Sequence, residues 1–254
     1  MRVRPSFLLP LTALLAFLVA QSALGSTGAE EGPGVADLRP TGAPVVDRPE
    51  PVKRAPRGHG VAVVRGSVAV SDRPGGPATG TLATTTEFGT PRVLSVAARR
   101  GGWLGVVVEG RPNGTLAWVR RDSSLTLRRT RWSLHADLSR RTLTLRRGGR
   151  AVQRISVAIG RAGSDTPTGR FAVTDKLPGS RFGPYYGCCI LALSGTQPNT
   201  PPGWTGGNRL AIHGTDSPST IGTAASAGCL RAGDEDLQGL MARVPLGTPV
   251  FIRH

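Results

Sequence analysis

The sequence has few lysines and few aromatic residues. Only Lys53 and Lys176 are lysines among 32 basic residues, and aromatic residues make up 5% of the 254 positions. Gly and Pro, with 35 and 21 residues, are by contrast frequent. Because both residues interrupt helices, a coiled coil or a bundle of long helices is excluded. With 39% hydrophobic residues, the chain is expected to bury cores in one or two modest β-rich domains.

The chain has few acidic residues, and its formal net charge is +16. It nevertheless lacks a Lys/Arg-rich tract, a zinc-finger spacing and an RNA-binding aromatic motif, so no nucleic-acid partner is predicted. The excess positive charge is spread along the chain, with +6 over residues 59–130 and +8 over residues 131–254. Dispersed charge fits a general affinity for an anionic polymer. Genome base composition alone would also favour arginine over lysine.

There are only three cysteines, Cys188, Cys189 and Cys229, so at least one stays a thiol. Consecutive side chains of a strand point to opposite faces, so adjacent cysteines are expected not to bridge each other. We expect one of the adjacent pair in the core and the other facing a cleft. No group of residues has the spacing of metal ligands, and neither a metal nor another cofactor is expected.

The first 25 residues have the parts of a secretory signal. Arg2 and Arg4 form a basic start, residues 7–20 are apolar, and Ala23–Gly25 is a small-x-small cleavage site. We therefore expect an exported, extracytoplasmic protein whose mature chain begins at Ser26 and has no membrane span. An uncleaved anchor is the alternative.

Residues 26–59 are rich in proline and predict an extended linker. Short alternating runs over residues 60–130 then predict five strands, with a hairpin turn at Asn113-Gly114. Asn113 also begins an N-glycosylation sequon, but the turn is the preferred interpretation. The segments 102–106 and 117–119, which carry two tryptophans, resemble those of a bacterial SH3-like β-barrel.

Residues 131–254 predict a second, mainly β domain. Alternating apolar residues indicate strands near 134–138, 143–145, 152–159, 171–174, 189–193, 210–213 and 250–252. The one clear helix is predicted at Asp234–Met241, where acidic residues open the first turn. The predicted fold is therefore mainly β, with a small barrel followed by a β-sandwich or mixed sheet and one short helix.

Two residues of this second domain can carry nucleophilic chemistry. His213 ends an apolar strand, and Cys229 follows 16 residues later in a small, flexible turn. A nearby imidazole can take the proton of a thiol and hold the resulting ion pair. His59 is placed in the linker, His254 is the last residue, and His135 is expected to face solvent. A buried apolar cysteine beside a structural histidine is the competing interpretation.

The turn around Cys229 offers further groups. Gly228 lets the backbone turn sharply, so the amides of Gly228 and Cys229 are candidates for an oxyanion hole. Arg231 can grip a carboxylate with two hydrogen bonds or can brace the turn. The residues alone do not favour either role.

The sequence from residue 131 onward resembles the YkuD-type L,D-transpeptidases of bacterial cell walls. The resemblance depends on four segments in the family's order: Thr166–Phe171, Ile212–Thr215, Ser226–Arg231 and Pro245–Ile252. It implies Cys229 as nucleophile, His213 as general base, and the Gly214 carbonyl as the group that orients the imidazole. Ser226 and Arg231 match positions that support the turn. Many members carry His where this chain has Ala227.

The implied activity is acyl transfer on peptidoglycan stem peptides, with release of D-Ala and formation of a 3→3 cross-link through a cysteine thioester. Water as acceptor would give L,D-carboxypeptidase activity. Tyr185, Tyr186 and Trp204 are candidates to line the donor groove. Anionic wall polymers are possible further partners. A cysteine peptidase and a non-catalytic wall-binding protein are the alternatives; in papain-like and NlpC/P60-type peptidases Cys precedes His, the opposite of the order here.

Overall fold

The computed structural model of the chain describes residues 58–254. The predicted signal at 1–25 and nearly all of the predicted linker lie outside the described residues. His59 was assigned to the linker, but it begins the first strand and pairs with Thr130. Within residues 58–254, no helix has the length and apolar character needed to cross a membrane.

Residues 59–130 form one seven-stranded sheet. Its strands are β1 His59–Val64, β2 Val68–Ser71, β3 Ala78–Leu82, β4 Val93–Arg100, β5 Trp103–Val107, β6 Ala117–Arg120 and β7 Leu125–Thr130. Their order is β3-β2-β6-β5-β4-β1-β7. The prediction of five strands was wrong, because β3 is almost wholly exposed and β7 carries two arginines, so neither shows clear apolar alternation. The resemblance to an SH3-like barrel stays a prediction.

Residues 132–253 form an eight-stranded mixed sheet. Its strands are β8 Trp132–Asp137, β9 Thr142–Arg147, β10 Arg150–Ser156, β12 Gly169–Pro178, β13 Cys189–Thr196, β14 Arg209–His213, β16 Leu230–Arg231 and β17 Pro249–Arg253. Their order is β10-β9-β8-β17-β12-β13-β14-β16. β17 runs parallel to β8, and β16 runs parallel to β14. Short strands β11 Ile159–Gly160 and β15 Ala224–Ser226 pair separately. The predicted mainly β fold is confirmed.

The helix α1 spans Asp234–Arg243, two residues longer than predicted. Its first turn holds three acidic residues, which the positive end of the helix dipole favours. Leu237 and Leu240 are fully buried in the core of the mixed sheet. This anchoring fixes the start of the helix directly after β16. Three single 3-10 turns, Gly179–Arg181, Pro184–Tyr186 and Pro218–Thr220, complete the regular structure.

His135 was expected to face solvent, but its side chain is partly covered. Its ring stacks on Phe251, with centroids 4.9 Å apart, and the side chain is half-buried. His59 also approaches Phe251, at 6.1 Å. Burial, followed by the charges of Arg146 and Arg253, lowers the pKa of His135 to about 4. Phe251 of the neighbouring strand β17 lies directly opposite His135 and covers its ring, so this strand position is not open to solvent.

Candidate active site

The parallel pairing of β14 with β16 brings the two chemically important residues together. Ile212 lies opposite Leu230, and His213 lies opposite Arg231. Cys229, one residue before β16, therefore lies beside Ala211, two residues before His213 on the neighbouring strand. Both side chains line one cavity. A sequence separation of 16 residues thus becomes proximity on one side of two adjacent strands.

His213 is held in one orientation by the backbone of the next residue. Its Nδ1 lies 2.6 Å from the Gly214 carbonyl oxygen. A carbonyl only accepts, so Nδ1 carries the proton and Nε2 keeps its lone pair. Nε2 is buried and has no hydrogen-bond partner among the described residues. Burial lowers the pKa of His213 to about 4, although the hydrogen bond to Gly214 opposes this effect.

Cys229 is the free cysteine of the described part of the chain. Its Sγ lies 3.8 Å from the Arg209 carbonyl oxygen, to which the thiol points. Burial raises the pKa of this thiol to about 11, against the opposing effects of a hydrogen bond at Ala211 and the charge of Arg231. Both shifts favour a neutral thiol beside a neutral imidazole over the thiolate–imidazolium pair that the sequence suggested.

The turn before Cys229 is closed by Ser226. The Ser226 hydroxyl donates to the Cys229 carbonyl oxygen at 2.6 Å and accepts from the Gly228 amide at 3.1 Å. The Ser226 hydroxyl therefore joins two backbone groups of the turn. The Gly228 amide, which was expected to face an oxyanion, is occupied by this hydroxyl. Of the predicted pair of donors, the Cys229 amide is the remaining candidate.

Gln197 organises the same turn and was missed by the sequence analysis. Its Nε2 donates to the carbonyl oxygens of Ser164, Asp165 and Ala227, at 3.1, 2.9 and 3.2 Å. Gly228 has a φ of +117°, and a Cβ there would lie 1.9 Å from this Nε2. The glycine is thus required both by its backbone angle and by the close approach of Gln197.

Asp234, also missed, fixes the loop after His213. Its two carboxylate oxygens accept from the amides of Thr215 at 3.2 Å and Cys188 at 2.9 Å. The acidic start of α1 was predicted, but its contacts were not, because the residues it joins are far apart in sequence. The carboxylate holds the Gly214 segment, and hence the carbonyl that orients the imidazole.

Aromatic side chains surround the imidazole. The ring centroids of Tyr186 and Tyr185 lie 4.9 and 5.6 Å from that of His213, and Trp204 lies 5.8 Å from Tyr185. All three aromatic residues line the cavity, together with residues of the loop 197–208. The enclosed space is about 30 Å³, which holds about one or two water molecules. The three aromatic residues therefore lie together at the cavity that contains Cys229, and their role in binding substrate stays a prediction.

Arg231 is buried and lies above the Tyr185 ring, with its guanidinium carbon 4.5 Å from the ring centroid. It also donates to the Tyr185 hydroxyl, while its Nε has no hydrogen-bond partner among residues 58–254. Next to the first cavity, Arg231 lines a second one of about 240 Å³ with Arg161, Tyr185 and Trp204. The structure therefore places Arg231 in a brace to Tyr185 and at the wall of an open cavity.

The N-terminal sheet contacts both ends of the loop 197–208. Asn113 donates to the Thr196 carbonyl oxygen at 2.7 Å and accepts from the Thr196 amide at 3.0 Å. Glu87 forms an ion pair of 2.6 Å with Arg209. Thr196 and Arg209 are themselves paired across β13 and β14, where the loop begins and ends. Because its side-chain amide makes these two hydrogen bonds, Asn113 forms a structural contact between the two sheets.

Residues near Glu87 extend this contact to the surroundings of Cys229. Phe88 packs on a small apolar cluster of β12, β13 and β14 that Tyr186 and Cys229 also contact. Thr86 donates to the fully buried Asp175 carboxylate at 2.5 Å. One loop of the N-terminal sheet is therefore built into the surroundings of the thiol, which the sequence analysis did not predict.

The other two cysteines differ from expectation. Cys188 and Cys189 are joined by a disulfide, whereas adjacent cysteines were expected to stay apart. The local reason is that Cys188 precedes β13 and follows Gly187, which has a φ of +58°. The strand rule of alternating faces therefore does not apply across this pair. Cys189 is buried in the core, as one of the two was predicted to be, and the half-buried Cys188 packs against that core without lining the cavity of Cys229.

The fold and the site define a mainly β domain with a cysteine and a histidine in one enclosed cavity. Residues 131–252 match the family model of the L,D-transpeptidase catalytic domain, YkuD. This part of the chain is therefore similar to the YkuD family of L,D-transpeptidases, in line with the resemblance seen in the sequence.

Two relatives show how far the similarity extends. The "Putative L,D-transpeptidase YkuD" of Bacillus subtilis (strain 168) is 32% identical over 125 residues, which cover 48% of this chain and 66% of that protein. The protein of the same name in Bacillus licheniformis is 34% identical over 123 residues, which cover 48% and 65%. The chain thus spans just under two thirds of the length of these relatives. Among solved structures, an L,D-transpeptidase from Mycobacterium smegmatis aligns over 74% of this chain and 99% of that chain, with 17% identity and a TM-score of 0.40.

Proposed function

We propose that this chain is an exported, cysteine-dependent L,D-transpeptidase that acts on peptidoglycan tetrapeptide stems. The observation that carries the proposal is the buried, unpartnered Nε2 of His213, which lines the same cavity as the free thiol of Cys229. An unpaired imidazole nitrogen is costly to bury, and a group that receives a proton during a reaction accounts for it. The match to the YkuD family over this domain supports the same activity.

The first half-reaction forms the thioester. As Cys229 Sγ attacks the carbonyl of the third stem residue, its proton passes to His213 Nε2. The carbonyl oxygen then carries a negative charge, which the Cys229 amide would stabilise as a hydrogen-bond donor. His213 returns the proton to the departing amine, the peptide bond breaks, and D-Ala leaves.

The second half-reaction restores the thiol. An amine of another stem attacks the thioester carbonyl and loses a proton to His213 Nε2. The carbon–sulfur bond breaks, sulfur takes that proton back, and a 3→3 cross-link results. Because the donor peptide bond supplies the free energy, the scheme requires no nucleotide. With water in place of the amine, the same steps give L,D-carboxypeptidase activity.

A stem peptide is much larger than the cavity of about 30 Å³, so the loop 197–208 has to move for substrate to reach Cys229. The nearby cavity of about 240 Å³, which shares Tyr185, Trp204 and Ala227 with the first, provides space in the direction of Arg231. The guanidinium there suits a stem carboxylate, because its Nε is still unpaired.

The experiment is mass spectrometry of the purified protein and of the products after incubation with tetrapeptide stems. A thioester adduct on Cys229 together with a 3→3 dimer is expected. Cys229→Ala should abolish both, whereas the matched control Cys188→Ser/Cys189→Ser should keep a catalytic thiol and form the adduct. Release of D-Ala without dimer would instead assign a carboxypeptidase. Absence of any adduct or product from the wild type would leave a non-catalytic wall-binding protein.

A further inference from the structure

A separate cleft lies between the two sheets and shares no lining residue with the active-site cavity. It encloses about 470 Å³. One wall is apolar and belongs to the N-terminal sheet. Val61 and Val63, two residues apart on β1, point to the same face, and Val63 pairs with Val93 of β4. Pro245 and Leu246, which follow α1, form the facing wall. A cleft of this volume is in the range that holds a small ligand or a few units of a chain.

The rim of this cleft is basic. Arg128 of β7 lies directly opposite Val61, so its side chain is on the same face of the sheet as the apolar wall. Arg131 lies in the connection from β7 to β8, and Arg147 ends β9 with its guanidinium carbon 5.3 Å from the centroid of the Trp132 ring. All three arginines are exposed.

Among the described residues, no carboxylate lines this cleft. The lining contains neither Asp nor Glu, and none of the ion pairs within residues 58–254 involves Arg128, Arg131 or Arg147. Other arginines of the same region, such as Arg92 and Arg111, do have carboxylate partners. Several unpaired guanidinium groups around one concave surface attract an anion with spaced charges and are stabilised when it binds.

We propose that this cleft binds a phosphodiester-linked polymer. A guanidinium group donates two parallel hydrogen bonds to a phosphate, and three such groups can contact successive phosphates or one phosphate and its neighbours. The apolar wall formed by Val61, Val63 and Val93 suits the short carbon units between phosphates. A polypeptide polyanion fits less well, because its backbone amides would need partners and Thr130 supplies the only uncharged side-chain hydroxyl of the lining.

The role proposed for this cleft is separate from the reaction proposed at Cys229. Binding there would hold the enzyme on an anionic polymer of the wall through a surface to which both sheets contribute. The proposal stands without the activity of Cys229, so the two can be tested separately on the same protein.

The test measures binding of poly(glycerol phosphate) to the purified protein by titration calorimetry at low and high salt. Arg128→Gln/Arg131→Gln/Arg147→Gln should weaken binding more than about tenfold, since charge-assisted hydrogen bonds are lost. The matched control Arg65→Gln/Arg73→Gln/Arg121→Gln removes the same charge from exposed positions outside the cleft. Its affinity should fall by less than about twofold, because distant exposed charges are screened.

Two further arms make the result decisive. Replacing the three rim arginines by lysine keeps the charge but removes the bidentate geometry. On a logarithmic scale, the affinity should then fall by about half as much as in the glutamine variant. Equal weakening by the cleft and control variants would show a general field and overturn the proposal. Tighter binding of polyglutamate than of poly(glycerol phosphate) would overturn its chemical class. Acylation of Cys229 should be unchanged in every variant, and thermal unfolding checks that each one folds.

Discussion

The pH dependence of Cys229 acylation tests the proposed proton transfer most directly. Burial sets the pKa of the thiol at about 11 and that of His213 at about 4. At pH 7 only about one thiol in 10⁴ is then ionised, whereas nearly all of the imidazole is the neutral base. A reaction through preformed thiolate would slow about tenfold with each pH unit below 11. A reaction assisted by His213 needs only the neutral imidazole.

The wild type should therefore be acylated by a carbapenem at a nearly constant rate between about pH 5 and pH 9, with a decline only toward pH 4. The ion pair inferred from the sequence alone would have implied a change between pH 6 and 8, and burial removes that expectation. His213→Ala should lower the rate at pH 7 by about 10²- to 10⁴-fold, the usual contribution of a general base. Its remaining rate should rise with pH and approach the wild type as the thiol ionises.

Stopped-flow acylation followed by intact-mass analysis gives these rates. His135→Gln is the matched control, because His135 also has a pKa lowered to about 4 but does not line the cavity. That variant should keep the flat profile. A wild-type midpoint near pH 6.5 would show that burial does not control His213. A His213→Ala profile as flat as the wild type would remove His213 from the proton transfer.

The other predictions concern the supports of the site and its stability. Asn113→Ala should lower the unfolding temperature and slow acylation, because both hydrogen bonds to Thr196 are lost at about 1 kcal/mol each; Asn113→Asp keeps the acceptor for the Thr196 amide but sets a carboxylate oxygen against the Thr196 carbonyl oxygen, so it should not restore the stability. Gly228→Ala should reduce acylation more than tenfold with little change in circular dichroism, since the new Cβ displaces Gln197. The folded-state pKa of His213 is below that of the unfolded chain, so its contribution to stability is complete above about pH 6.5 and declines toward pH 4, by up to about 3 kcal/mol. Urea unfolding at pH 7 and 4.5 should show this loss, and His213→Gln should reduce it; equal stabilities at the two pH values would contradict it.

Local patterns accounted for much of the fold. Strands such as β8 and β13 were predicted from their apolar residues, which alternate where one face is buried and form nearly continuous runs where both faces are buried. The helix was predicted from the acidic first turn at Asp234. Where a strand is exposed, as β3 is, that signal is absent and the strand was missed. The segment before β13 was misjudged because Gly187 departs from strand geometry there.

The amino-acid pattern was enough to identify the turn around Cys229 and the strand end at His213, because each is a short segment whose chemistry and backbone requirements lie within a few neighbouring residues. Tertiary structure alone decided which distant groups meet them. Gln197, Asp234 and Asn113 act through contacts with residues tens of positions away, and no local period marks such contacts. Tertiary structure also decided the protonation states, since the desolvation that keeps thiol and imidazole neutral depends on atoms packed around them from every side.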